Sequence, residues 1–146
     1  MKITKIERLH ADGAWRTLDF LKISTDDGII GWSEYNESFG GLGVSAIIDH
    51  LAPLLIGKDP RPYEAHVALL YAVRRQASGG AIAQAIGAIE NALLDIKAKA
   101  LGIPVVWNLA GGYSEPMTKT VAIHLQTLAK SDEAMVNRPL VSAVKL

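Results

Sequence analysis

The chain reads as an α+β protein: a three-stranded antiparallel meander, then a three-helix bundle, then a C-terminal β-α-β segment. Three observations point there. Apolar and polar residues alternate through the first 35 positions; after Gly40, Gly41 and Gly43 the apolar interval lengthens to three and four residues; alternation returns beyond Met117. A fully helical or fully β chain would not change period twice.

Ile3, Ile6 and Leu9 open a first, irregular strand, and "TLDFLKIST" and "GIIGWSEY" supply the second and third. Asp26-Asp27-Gly28 separates these two and offers the positive φ that a tight hairpin needs. Val44, Ile47, Ile48, Leu51, Leu54 and Leu55 then form the apolar face of a first helix, which "GKDP" stops. Pro62 suits a first helical turn, and Val67, Leu69, Leu70 and Val73 extend a second helix to the break at "SGG", 78–80. From Ala81 the set Ile82, Ile86, Ile89, Leu93, Ile96 and Ala100 lies on one face of a third helix, ended by Gly102 and Pro104. After the short amphipathic "PVVWNLAGG", "MTKTVAIHL" alternates like a strand. "SDEAMVNR" starts a capped helix and "LVSAVKL" returns to strand. Residues 113–116 are a candidate hinge before this tail.

Composition narrows the function. Fifteen basic and fifteen acidic residues cancel, and no basic stripe is present to neutralise phosphates, which disfavours nucleic-acid binding. Without cysteine there is neither a disulfide framework nor a thiolate zinc site, and His10, His50, His66 and His124 lack metal-ligand spacing. The first residues alternate where a secretory signal would be continuously apolar, and nowhere do eighteen apolar residues run together, so the expected compartment is the cytoplasm.

The candidates for chemistry are few. On the third helix Asp95 and Lys99 are four apart and Glu90 and Lys97 seven apart, spacings that suit ion pairs on a solvated or interface face better than acid–base catalysis. "GWSEYNESFGGLG" sets acids, aromatics and glycines between a strand and a helix. It lacks the lysine and glycine spacing of a phosphate loop, and it reads either as a plain connector or as a flap whose Tyr35 and Phe39 close over a ligand. The turn "HADGAWR" holds His10, Trp15 and Arg16, either facing solvent or lining the same side as the flap. His50 and His66 fall in helical apolar patterns and receive no role. His124 and Lys145 fall near the ends of the two tail strands, the edge at which α/β sites assemble.

Gly79-Gly80, "AIENALLDIKAKALGIPV", "LAGG", "LIGKDP" and the meander with its flap together resemble the N-terminal capping domain of the enolase superfamily, in its mandelate racemase and muconate lactonizing branch. The resemblance spans roughly residues 1–125. It implies a capping domain over residues 1–112 and the beginning of a TIM-type (β/α) barrel over 113–146, too short for eight βα units. It further implies a Mg²⁺-dependent enzyme abstracting the proton α to a carboxylate: a racemase, cycloisomerase or acid-sugar dehydratase. "SAVKL" then matches the strand of a Lys-x-Lys motif with Lys145 as its first, catalytic lysine, and the metal ligands are expected beyond Leu146, so this chain alone is expected to be inactive. Trp15, Tyr35, Phe39 and His124 are the expected substrate contacts, a small hydroxy acid or sugar acid the expected substrate, and a homo-oligomer the expected assembly. Within this reading the third helix's stripe joins cap to barrel, and it would stand uncovered without one. The rival readings are a non-catalytic α+β module that dimerises through that stripe, and an anion-binding module at glycines 40–43, for which only the distant Arg16 and Lys58 supply charge.

Overall fold

A computed structural model describes residues 1–38, 41–74 and 79–103. The meander forms as expected: β1 (Ile3–Asp12), β2 (Thr17–Thr25) and β3 (Ile30–Tyr35) make one antiparallel sheet in that order. Its register pairs Asp12 with Thr17 and Ile6 with Ile23 on one side of β2, and Asp19 with Tyr35 on the other. The Asp-Asp-Gly turn acts as predicted: Gly28 takes φ +80° and donates its N–H to Thr25 O. β1 is irregular as expected and extends to Asp12. A shift of register between Ile3 and Lys5 is its one irregularity, and His10 belongs to this strand and not to the turn that follows.

Three helices follow. α1 (Val44–Leu51) starts after Gly43 at φ +89° and runs into a 3-10 turn over Ala52–Leu54. α2 (Tyr63–Ala72) begins directly after Pro62. It is shorter than its apolar periodicity suggested: Val73, counted as part of the stripe, is 46% exposed and forms the C-cap. Residues 75–78 lie outside the described residues. α3 (Gly80–Ala100) is the 21-residue spine of the domain.

The core lies between the sheet and α3. Leu21 and Ile23 from β2 meet Val44, Ile48 and Leu51 from α1, and Ile86, Ile89, Leu93 and Ile96 from α3, all fully buried. At about 1.5–3 kcal/mol per large apolar side chain withdrawn from water, this stripe is the chief stabilising element of α3. That finding corrects the sequence reading. The stripe is covered by the sheet, α1 and α2, so it is not the uncovered face that the dimerising module would need.

The charged residues of α3 are corrected too. Asp95, expected on a solvated or interface face, is 2% exposed; its Oδ2 accepts the backbone N–H of Trp32 at 2.8 Å and lies 2.6 Å from Lys99 Nζ. Lys99 also donates to Ile30 O at 2.7 Å. The i,i+4 pair thus satisfies two backbone groups on the outer edge of β3, the Trp32 N–H and the Ile30 carbonyl. Lys97 does not pair with Glu90. It donates to Glu64 of α2 at 3.2 Å and stands over the Tyr63 ring. Close approach here requires glycine: a Cβ on Gly31 of β3 would lie 2.1 Å from Ala92 O of α3.

Candidate functional site

Antiparallel order brings three chain segments to one end of the sheet: the β1–β2 turn at 13–16, the start of β2, and the loop that leaves β3 at Asn36. Ser38 Oγ donates to Thr17 O at 3.2 Å, which ties loop to strand directly. The expected neighbourhood of the turn and the post-β3 loop is therefore real.

In the turn, Ala14 adopts φ +71°, a rare conformation for a residue with a Cβ, held by its N–H on Asp12 Oδ1. The turn presents Trp15, 76% exposed, with the Arg16 guanidinium 5.3 Å from its ring centre. Arg16 Nη2 also donates to Glu34 Oε1 of β3 at 2.9 Å, so the exposed indole stands on a fixed cation. Tyr35 is placed differently from a flap tip. It is 7% exposed, its hydroxyl lies 2.9 Å from Ser45 Oγ, and its phenol is pushed above the usual tyrosine value by burial, with the Ser45 hydrogen bond opposing. Phe39, His124 and Lys145, and the whole tail with its expected strands, lie outside the described residues.

Beside β3's end, an open cavity of about 360 Å³ is lined by Glu34, Tyr35, Asn36, Gln84 and Asn91 together with the small residues Gly41, Gly87 and Ala88. Carboxamides, a carboxylate and small residues suit a hydroxylated, uncharged surface more than an anion. Among the described residues no group of three or more His, Asp or Glu side chains could hold a metal ion. None of the described helices is long and apolar enough to cross a membrane.

Sequence reasoning overlooked one cluster. Asp19 lies on the core face of β2, in step with Leu21 and Ile23, and is buried. His10 Nδ1 lies 2.7 Å from its Oδ1, and the Glu37 N–H donates to its Oδ2 at 2.9 Å. Glu37 in turn accepts the Gly43 N–H through Oε1 at 2.9 Å and bonds Ser45 Oγ through Oε2. The signal was present in "TLDFLKIST": a carboxylate at a position whose alternation points inward. His66, as expected, is an ordinary core imidazole, its Nε2 2.6 Å from Asp59 O; His50 is exposed.

The family model of the mandelate racemase / muconate lactonizing enzyme N-terminal domain matches residues 14–111. The chain belongs to this family. A D-galactonate dehydratase of Xanthomonas axonopodis pv. citri is 39% identical over 120 residues, 82% of this chain but 30% of that protein. A Burkholderia xenovorans protein provisionally named L-alanine-DL-glutamate epimerase, solved with magnesium and fumarate, shares 46% identity at a TM-score of 0.67 over 68% of this chain and 25% of its own. The 3,6-anhydro-D-galactonate cycloisomerase of Zobellia galactanivorans shares 33% at a TM-score of 0.61, over 69% and 29%. The chain thus spans under a third of the family members it matches. The sheet and three helices described here are the family's N-terminal domain.

Proposed function

We propose that this chain is the substrate-capping part of an enolase-superfamily enzyme that dehydrates a sugar acid of the galactonate type. Residues 1–112 form the cap and 113–146 begin a (β/α) barrel. The observation that carries the reading is the 39% identity to a D-galactonate dehydratase across 82% of the chain, on a cap whose turn and post-β3 loop share one end of the sheet. Cycloisomerisation of a related acid begins with the same step and is the second reading, favoured by the Zobellia galactanivorans relative.

In such a reaction a base takes the proton α to the carboxylate, the electron pair passes into the carboxylate, and the β-hydroxyl leaves as water with a proton from a general acid. The resulting enol ketonises to a 2-keto-3-deoxy acid. Lys145 is our candidate to hold the abstracted proton on Nζ, and His124 a contact to the substrate. Trp15 and Phe39 close the apolar side of the pocket and exclude water, and Tyr35, its hydroxyl engaged by Ser45, sets where the loop begins. Magnesium, which would supply positive charge to the substrate carboxylate, finds no ligand set among the described residues; its site is assigned to the remainder of the enzyme, and no step is drawn through it. We further propose a cytoplasmic homo-oligomer.

The test is a chimera in which residues 1–112 replace the matching part of the D-galactonate dehydratase, assayed with Mg²⁺ for 2-keto acid from a panel of aldonates. Dehydration of D-galactonate within about tenfold of the parent is expected, since a cap that fits loses at most ~1.4 kcal/mol of transition-state stabilisation. A folded, Mg²⁺-loaded chimera that turns over none of them refutes the reading. This chain alone is expected to show no turnover.

A further inference from the structure

Burying a carboxylate is costly unless its oxygens are hydrogen-bonded, and the bonds that Asp19 makes fasten nothing in the apolar core. They fasten the post-β3 loop. Oδ2 receives the N–H of Glu37 at 2.9 Å, just after the strand ends, while Oδ1 is set against His10 at 2.7 Å, so the carboxylate itself is held. Glu37 then reaches across the loop to its far end, accepting the Gly43 N–H at 2.9 Å and bonding Ser45 in the first turn of α1. Gly43 is at φ +89°, a geometry in which its N–H can face back toward the loop. Ser45 Oγ closes the circuit on Tyr35 OH at 2.9 Å. Entry to the loop is thereby tied to β2, and exit is tied to entry.

We propose that Asp19 and Glu37 are positioning residues for the substrate-facing loop: two carboxylates in series that fix residues 36–38 and 41–43 relative to each other and to the sheet. They touch no reacting atom. They act by holding the loop in its binding geometry before substrate arrives, so that the ordering cost is met in folding and not in binding. The inference rests on the proposed function, because it takes this loop as the one that meets the sugar acid.

The test compares Glu37→Ala with Glu37→Gln, and Asp19→Ala with Asp19→Asn, by amide hydrogen exchange and, in the intact Mg²⁺-loaded enzyme, by steady-state kinetics on D-galactonate. Alanine at 37 should speed exchange of the Gly43 amide, and alanine at 19 that of the Glu37 amide, by roughly tenfold or more relative to the Trp32 amide, which is held by Asp95 of α3 and reports the β3–α3 contact. KM should rise about tenfold with kcat within about threefold. The amide variants, which keep an acceptor and add a donor, should recover most of both effects. Glu37 is half-buried and outside every helix and strand, so Glu37→Ala decides the matter if Asp19→Ala does not fold. Unchanged Gly43 exchange and unchanged KM in Glu37→Ala, or a Gln variant no better than Ala, overturns the proposal. Failure of the wild-type enzyme to act on any sugar acid would count against the proposed function, and the exchange readout would still decide the positioning role.

Discussion

Replacing Asp95 by alanine tests whether the acid of α3 is a sheet-edge fixture or a surface charge. The substitution removes the acceptor for the Trp32 N–H at 2.8 Å and the counterion of Lys99 at 2.6 Å. A hydrogen bond from a backbone N–H to a charged acceptor contributes about 1.5–3 kcal/mol. The ion pair adds little, about 0.5 kcal/mol, because the Lys99 side chain is 43% exposed and its ammonium turns to water when the acid is gone. Against this, Asp95 Oδ1 is buried with no partner among the described residues, and deleting it relieves a desolvation penalty of about 1 kcal/mol. The net expectation is a loss of roughly 1–2.5 kcal/mol for Asp95→Ala and about half that for Asp95→Asn, which keeps a neutral acceptor. Urea denaturation followed by far-UV circular dichroism, with an unchanged m-value, measures the loss, and accelerated exchange of the Trp32 amide locates it. An alanine variant as stable as wild type, with Trp32 still protected, would show that the edge is held by something other than this carboxylate.

Three further outcomes follow from the same structure. Gly31→Ala would force a Cβ to 2.1 Å from Ala92 O, so β3 and α3 must part, costing about 3 kcal/mol or more by denaturant midpoint; a loss under about 1 kcal/mol would contradict the close approach. The Tyr35 phenol is raised by burial, so the stability it confers is complete below the unfolded value near pH 10 and fades as pH climbs through the folded value. Midpoints from pH 8 to 11.5 should fall less in Tyr35→Phe than in wild type, and parallel slopes would contradict this. Asp59 is held well below the usual carboxylate range by the Arg61 side chain and backbone N–H, so its contribution is present above the unfolded value near pH 4 and is lost as pH falls toward the folded one. Asp59→Asn should flatten that acid limb, visible in Tm between pH 5 and 2.

Elements whose pattern and packing agree were legible from residues alone. "TLDFLKIST" matched β2 residue for residue, and the α3 stripe stood on one face because its neighbours are the sheet and two helices. What the stripe packs on was not legible, since periodicity names a buried face without naming its cover; β2, β3, α1 and α2 cover it. Val73 shows the complementary error: an apolar residue at helical spacing, left in solvent where α2 ends. At the candidate site the juxtaposition of Trp15 with the post-β3 loop followed from meander topology. The carboxylate pair Asp19 and Glu37 did not, because their bonds run to backbone amides, whose direction no side-chain spacing encodes.

The early place of these core residues in the chain bears on how the polypeptide is made. Residues 1–103 form one compact unit, and its buried apolar core among the described residues runs from Ile3 to Ile96. A nascent chain therefore carries these strands and helices once α3 clears the ribosomal exit tunnel, and can begin to bury their oily faces on one another while later codons are still being read.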